Sequence, residues 1–277
     1  MKKVIFLSVL LFSALNMTAP LFAAEASSEG NFFPFYFYQP NYILPFYYTG
    51  SPDNTVYGNQ LPNNQPLSHY DLKFQLSLKY PVWDLNANQK LYIAYTQMSY
   101  WQAYQQSPFF RETDYEPEIF LANVINQPIG KGWQANFLNV GAMHQSNGEG
   151  GSLERSWNRA YINVIGSKNN WTVSFQPWYI FQDSALQEHN PDIGHYMGYE
   201  QATVAYQYVN QEFSIQARNT LESGFSRSGV TLSWSFPTGL RSLKGYVQAF
   251  NGYGQSLIEY NHRTTSVGVG VIFSGLL

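Results

Sequence analysis

Apolar and polar residues alternate with a period of two along much of the chain. From Asp71 to Tyr80, Leu72, Phe74, Leu76, Leu78 and Tyr80 fall on one face, and Asp71, Lys73, Gln75, Ser77 and Lys79 on the other. Trp171, Val173 and Phe175 alternate with Thr172, Ser174 and Gln176, and Val230, Leu232, Trp234 and Phe236 with Gly229, Thr231, Ser233 and Ser235. Near the C-terminus, Val267, Val269, Val271 and Phe273 alternate with the small Gly268 and Gly270. This is the period of a strand whose two faces meet different surroundings. Several runs exceed the ~5–6 residues of an ordinary strand and match the ~9–11 that a tilted strand needs to cross a bilayer.

The pattern predicts twelve strands, at about 40–49, 70–83, 90–104, 114–127, 132–147, 155–167, 170–183, 195–209, 211–222, 227–237, 241–254 and 264–275. An even number suits a single-chain bacterial barrel. The links at 50–69, 105–113, 148–154 and 184–194 are longer than those at 128–131, 168–169 and 210. Long loops belong outside the cell and short turns in the periplasm, which makes 148–154 extracellular.

Composition narrows the class. Only 12% of residues are charged, about half the usual ~25%, while 22 Tyr, 20 Phe and 7 Trp make the chain rich in aromatics. Disordered chains show the opposite bias. Past residue 26 no stretch approaches the ~18 apolar residues of a spanning helix. What remains is an all-β protein, a transmembrane antiparallel β-barrel of about twelve strands, formed as a single domain over 27–277. Residues 1–26 read as a secretory signal: Lys2 and Lys3, an apolar run from Val4 to Leu15, and Ala23, Ala24 and Ala26 as small residues for cleavage after any of the three. An N-terminal membrane anchor is the alternative, disfavoured by the short apolar run.

Export to an oxidising compartment without a single cysteine means the fold holds without disulfides. The formal charge of −3 becomes more negative once Lys2 and Lys3 are removed, which excludes nucleic acid as a partner, since binding it requires a basic surface. The aromatic and proline-rich segment 31–69 is read, over 31–48, as an ordered entry to the first strand at the membrane interface. An interfacial segment or a plug is the alternative, because the prolines argue against a regular central strand before Pro40.

Candidate chemistry lies in VGAMHQSNGEGGSLERSWNR, Val140 to Arg159. His144 and Ser146 are two apart on one strand and point the same way, the side that carries Leu138, Val140 and Ala142. In the next strand Asn158 shares a face with Ala160, Ile162 and Val164. Three polar residues thus fall on the apolar, lipid-facing side at the outer ends of adjacent strands. Ionisable groups there are costly and point to function; polar residues at headgroup level are the plainer alternative. Serine becomes a nucleophile when an adjacent base takes its proton and a third group orients that base. His144 suits the base and Asn158 the orienter, as in the Cys-His-Asn arrangement. Gly148, Gly150 and Gly151 permit a tight turn whose N–H groups could face an oxyanion.

The HQSNG stretch, with RSWNR placing Asn158 fourteen residues after His144, resembles the motif of the outer membrane phospholipase A family. KFQLSLKYPVW, YTQMSYWQ, SPFFRETDYEPE, QPWY, NPDIGHYMGY and GYGQSLIEYN extend the resemblance over about 70–273. The resemblance implies a twelve-stranded outer-membrane barrel that hydrolyses acyl esters of phospholipids, with A1, A2 and lysophospholipase activity. It implies a need for calcium and activation as a homodimer. It carries over Ser146 as nucleophile, His144 as base, Asn158 as orienter and the Gly148 N–H as oxyanion donor. For calcium it implies the carbonyls of Gln106 and Glu149 and the side chain of Glu154, which stands where the family has a serine hydroxyl. A second calcium position uses an aspartate where Gly151 stands here, leaving Glu188 or Asp192 as substitutes. Gln97 matches a position that hydrogen-bonds across the dimer, and it shares a face with Ile93, Tyr95 and Ser99. His69, His189, His195 and His262 read as loop or lumen residues. The rival readings are a porin-like channel and a structural barrel without catalysis.

Overall fold

Alternation along each strand becomes a wall with two unlike sides. The computed structural model describes residues 35–240 and 243–276; the candidate signal lies outside them. A short strand, β1 (Tyr36–Phe37), precedes twelve long antiparallel ones: β2 (Tyr42–Thr49), β3 (Tyr70–Asn86), β4 (Gln89–Trp101), β5 (Phe110–Gly130), β6 (Trp133–Ser146), β7 (Ser156–Lys168), β8 (Trp171–Phe181), β9 (Glu200–Tyr208), β10 (Gln211–Arg218), β11 (Gly229–Pro237), β12 (Lys244–Gly252) and β13 (Thr264–Ile272). Each long strand pairs with its sequence neighbours, and β13 closes on β2. A closed sheet has no unpaired edge, the condition a β structure must meet in hydrocarbon.

Opposite β3, the wall is shared by two segments. Tyr42 of β2 pairs with Gln75, and β1 takes over at Leu78 and Lys79. Between them Pro40 interrupts the ladder, and the Gln39 N–H turns to the Ser77 hydroxyl instead (3.0 Å). Residues 36–37 and 42–49 are therefore part of the wall; residues 31–34 of the predicted entry segment lie outside the described ones.

Leu76, Ile93, Ile119, Val140, Ile162 and Val269 stand exposed on the outside, whereas Asp71, Lys73, Ser77, Glu118, Arg159 and Gln248 are buried inside. The interior is filled and cross-linked. Arg111 Nε donates to Asp71 Oδ2 (3.0 Å) and its Nη1 to Glu259 Oε2 (2.9 Å); Arg159 Nη2 meets Glu116 Oε2 at 2.7 Å. Pairing of this kind offsets part of the cost of burying a charge. At the outer mouth the loop 253–263 folds inward, burying Leu257, Ile258, Glu259 and Tyr260, and the Ile258 N–H donates to Glu112 Oε1 (2.5 Å). The lumen holds a polar cavity of about 260 Å³ whose lining includes Lys73, Glu116, Arg159 and, from that plug, Gln255.

Turn chemistry matches the ends. Lys131 (φ 52°) and Gly132 (φ 79°) both take left-handed backbone in the two-residue link from β5 to β6, as tight hairpins require. The outer loops are long and, among the described residues, carry four short α-helices: α1 (Asn54–Tyr57), α2 (Ser184–His189), α3 (Ile193–Met197) and α4 (Thr220–Ser223). Two of these correct the sequence reading. Residues 195–197 belong to α3, not to a strand, because Ile193 and Met197, four apart and both buried, share one helix face. Residues 220–222 likewise belong to α4, where Glu200 Oε1 accepts the N–H groups of Thr220 (2.5 Å) and Leu221 (2.9 Å).

Candidate active site

The site follows from the register of two strands. β6 and β7 place Ser146 opposite Ser156, His144 opposite Asn158 and Ala142 opposite Ala160. On β6 these positions share the parity of the exposed Val140 and Ala142, and on β7 that of Ile162. The intervening Met143, Trp157 and Arg159 are buried inside. His144, Ser146 and Asn158 therefore sit on the outer wall, each half-buried, at the extracellular end.

His144 Nδ1 and Asn158 Oδ1 are 2.8 Å apart. The other end of the amide is also engaged, Asn158 Nδ2 donating to Asp183 Oδ2 at 2.5 Å. With Nδ2 directed there, Asn158 presents Oδ1 to the ring, the arrangement that pairs with a proton on Nδ1 and a bare Nε2. Ser146 stands one pleat further out on the same face. Among the described residues no hydrogen bond joins it to His144. Such contacts are often loose without substrate and tighten when it binds.

The loop after Ser146 is held by the fully internal Asn147. Its Nδ2 donates to the Leu153 carbonyl (2.8 Å), and its Oδ1 accepts from the Arg155 N–H (3.0 Å) and the Glu149 N–H (3.3 Å). Gly148 takes a φ of 68° in that loop, with the Tyr115 ring so near that a Cβ would meet it at 2.8 Å. From the other side Asn190 docks the α2 loop, bonding the Ser156 N–H (3.1 Å) and carbonyl (3.0 Å) like a strand partner.

Below the pair lies an open groove of about 790 Å³ in the outer wall, lined by Ile93, Pro117, Ile119, Ala142, His144, Asn158, Phe181 and Asp183. Pro117 and Ala142 are small, while Ile93, Ile119 and Phe181 flank the space. An apolar trough leading to a polar head is the shape that takes an acyl chain with an ester at its end. His144 and Asn158 line this groove and not the lumenal cavity.

The implied calcium donors lie on three outer loops: Gln106 between β4 and β5, Glu149 and Glu154 between β6 and β7, and Glu188 and Asp192 between β8 and β9. Gln106 and Glu149 are exposed. Glu154 Oε2 faces His189 Nε2 at 3.4 Å, and Glu188 Oε2 stands 3.9 Å from the same nitrogen. Asp192 accepts the Tyr260 hydroxyl. Burial first, then that bond and the Asp192 charge, push the Tyr260 phenol up, so it remains the donor. Among the described residues, side chains of one chain form no cluster of three His, Cys, Asp or Glu suited to a metal. Gln97 lies on the outward parity with the exposed Ile93 and Tyr95, accepting from the Tyr95 hydroxyl (3.0 Å) and donating to Ser99 Oγ (3.2 Å). His69, His195 and His262 all bond within the outer ends and loops, to Thr49, Glu222 and Ser51.

Sequence reasoning missed Asp183, Asn147, Asn190 and Tyr115. For Asp183 a signal existed: it lies two residues past Phe181, on the outward parity of β8, and Phe181 is the register partner of Asn158.

Fold and site together define an outer-membrane β-barrel whose cluster of His144, Ser146 and Asn158 stands on the outer wall and not in the lumen. A family model described as phospholipase A1 matches residues 19–273. The phospholipase A1 of Klebsiella pneumoniae is 36% identical over 259 residues, covering 89% of this chain and 84% of that protein. That of Escherichia coli K12 is 35% identical over 269 residues, covering 92% and 87%. Among solved structures, outer membrane phospholipase A from Escherichia coli superposes with a TM-score of 0.81 at 34% identity, over 88% of this chain and all of that one. The Salmonella typhi outer membrane phospholipase, solved as a dimer with bound calcium, gives 0.82 at 34% identity over 89% and 95%. The chain belongs to the phospholipase A1 family. Phospholipase function and residence in the bacterial outer membrane follow with that membership.

Proposed function

We propose that the protein is a calcium-dependent phospholipase that cleaves acyl esters at either glycerol position, and those of lysophospholipids, with Ser146 as nucleophile. The observation that carries this reading is the 2.8 Å His144–Asn158 hydrogen bond on the lipid-facing wall, one pleat from Ser146. A phospholipid reaches the site sideways from the outer leaflet, its acyl chain in the groove beside Ile93 and Phe181. Ser146 Oγ attacks the ester carbonyl as His144 Nε2 takes its proton, and Asn158 Oδ1 holds the Nδ1–H through the change in ring charge. The backbone N–H of Gly148 donates to the oxyanion. The tetrahedral intermediate collapses, the acyl–Ser146 bond remains, and His144 returns the proton to the leaving alcohol oxygen. Water, deprotonated by the same nitrogen, then releases the fatty acid.

Calcium is supported by the relative solved with it bound and by the donors available here, which are hard oxygens of the kind that ion takes. The carbonyls of Gln106 and Glu149 and the carboxylate of Glu154 would hold it, Glu154 first parting from His189. Glu188 is the candidate for a second ion. When bound, the ion supplies positive charge beside the oxyanion. The same relative is a dimer, and a homodimer would bring loops of two chains together at the outward-facing Gln97 and close the acyl groove.

The test is hydrolysis of phospholipid in detergent micelles by the refolded protein, with calcium and with excess chelator, beside Ser146→Ala. Activity that requires both calcium and Ser146 is expected. Serine-dependent activity indifferent to calcium would remove the metal from the mechanism. A folded, inactive barrel at every calcium level would restore the structural reading.

A further inference from the structure

An amide can meet a histidine in two ways that differ by a half-turn of its terminal group and are almost equal in shape. With Oδ1 toward the ring, Asn158 fixes the proton on Nδ1 and frees Nε2 as a base. With Nδ2 toward the ring, it would demand a bare Nδ1 and leave Nε2 protonated, unable to accept from Ser146. Packing hardly distinguishes the two, so something with a definite polarity has to choose. In this structure it is a carboxylate: Asp183 Oδ2 accepts from Asn158 Nδ2 at 2.5 Å. An ionised aspartate offers acceptors only, and a flipped Asn158 would set oxygen against oxygen there.

We infer that Asp183 is a positioning residue that locks the Asn158 amide in the orientation His144 needs, extending the line Ser146, His144, Asn158 by a fourth member. The inference rests on the triad reading above and deepens it. Asp183 is itself well placed to act as a fixed point. It follows β8, whose Phe181 pairs with Asn158, and its second oxygen, Oδ1, accepts the Leu186 N–H at 2.8 Å in the first turn of α2. That helix is fastened to the barrel by buried Leu186 and by Asn190, which bonds both backbone groups of Ser156. The two oxygens thus divide their work, one holding the loop and the other the amide. A neutral orienter needs such a partner, whereas an aspartate in its place, with two equivalent oxygens, would not.

A helix cap alone is the competing role, and substitution separates the two. Asp183→Ser keeps a good N-cap residue but is too short to reach Asn158; Asp183→Ala removes both functions. In calcium-saturated micelles Asp183→Ser should lose about tenfold in kcat, with KM within about twofold of wild type, and run as a folded barrel on unheated gels. In an Asn158→Ala background it should cost nothing further, since the residue it acts through is gone. Asn158→Asp should also lose activity, because it sets a second carboxylate against Asp183, and the exchanged pair Asn158→Asp with Asp183→Asn should recover much of that loss. Wild-type activity in Asp183→Ser, or a loss that multiplies with that of Asn158→Ala, would overturn the inference while leaving the triad intact. Hydrolysis retained by Ser146→Ala would instead overturn the triad reading itself.

Discussion

Gly148 lies against the ring of Tyr115, so close that a methyl group on its Cα would stand 2.8 Å from Tyr115 Cε2. Tyr115 is the register partner of Ser146 on β5, so the ring supports the loop at the point where the chain leaves the nucleophile. The backbone there is left-handed, at φ 68°. Gly148→Ala combines a clash with about 1–2 kcal/mol of conformational strain. The loop should shift and move the Gly148 N–H off the oxyanion. Hydrolysis is expected to fall by about a hundredfold, as for loss of one oxyanion donor, while the barrel still resists unfolding on an unheated gel. An alanine variant with near wild-type kcat would take this N–H out of the mechanism.

The three proposed catalytic side chains should not be equal. Ser146→Ala removes the atom that bonds to the acyl group and His144→Ala the base, and each should bring hydrolysis close to background. Asn158→Ala leaves a histidine that still samples the correct tautomer, so its loss should be smaller by a factor of about ten or more. Initial rates on one short-chain ester for all three variants check the order. Equal losses for Asn158→Ala and Ser146→Ala would mean that Asn158 does more than orient.

What the sequence revealed, and what it hid, has a common physical cause. Wherever residues are held by a sheet, the period of two reports their side and their neighbours. His144, Ser146 and Asn158 could be placed together because polar residues on a lipid-facing parity stand out against Val140, Ala142 and Ile162. The outward setting of Gln97 was legible on the same ground. Asp183 keeps the outward parity of β8 but, like Asn147 and Asn190, sits in a loop, where sequence separation no longer fixes which group a side chain meets. Their partners are backbone groups and an amide that only the folded loops bring near. Residues 195–197, read as the start of a strand, misled for another reason: the five-residue helix they end is too short to show a period of its own. Its one signal, buried Ile193 and Met197 four apart, competes with the strand that follows from Glu200.

In the proposed dimer Gln97 is the contact across the interface, and its bonds within one chain limit what it can contribute. The Tyr95 hydroxyl already donates to its Oε1 and its Nε2 reaches Ser99, so a bond across an interface replaces partners and does not create them. Polar pairs within membranes average ~0.6 kcal/mol. Gln97→Ala should therefore weaken dimerisation by less than about threefold in its dissociation constant, read by energy transfer between labelled chains in micelles with calcium. A loss beyond about tenfold would show that the dimer rearranges Gln97 and frees it from Tyr95 and Ser99.

Glu154 offers the sharpest test of the metal reading, because its carboxylate stands 3.4 Å from His189 Nε2. If Glu154 is a calcium ligand, His189 competes for the oxygen that the ion needs, and removing the competitor should help. His189→Ala is expected to lower the calcium concentration for half-maximal hydrolysis, and Glu154→Ala to raise it about tenfold or more, since ligand charge sets calcium affinity over wide ranges. Glu154→Ser, which leaves an oxygen but no charge, should fall between. Calcium titrations of hydrolysis at fixed micelle concentration measure all three. The signs matter more than the sizes. A His189→Ala variant that needs more calcium than wild type would show that the imidazole steadies Glu154 for the ion and does not withhold it, and indifference to Glu154→Ala would leave the carbonyls of Gln106 and Glu149 as the chain's contribution to the site.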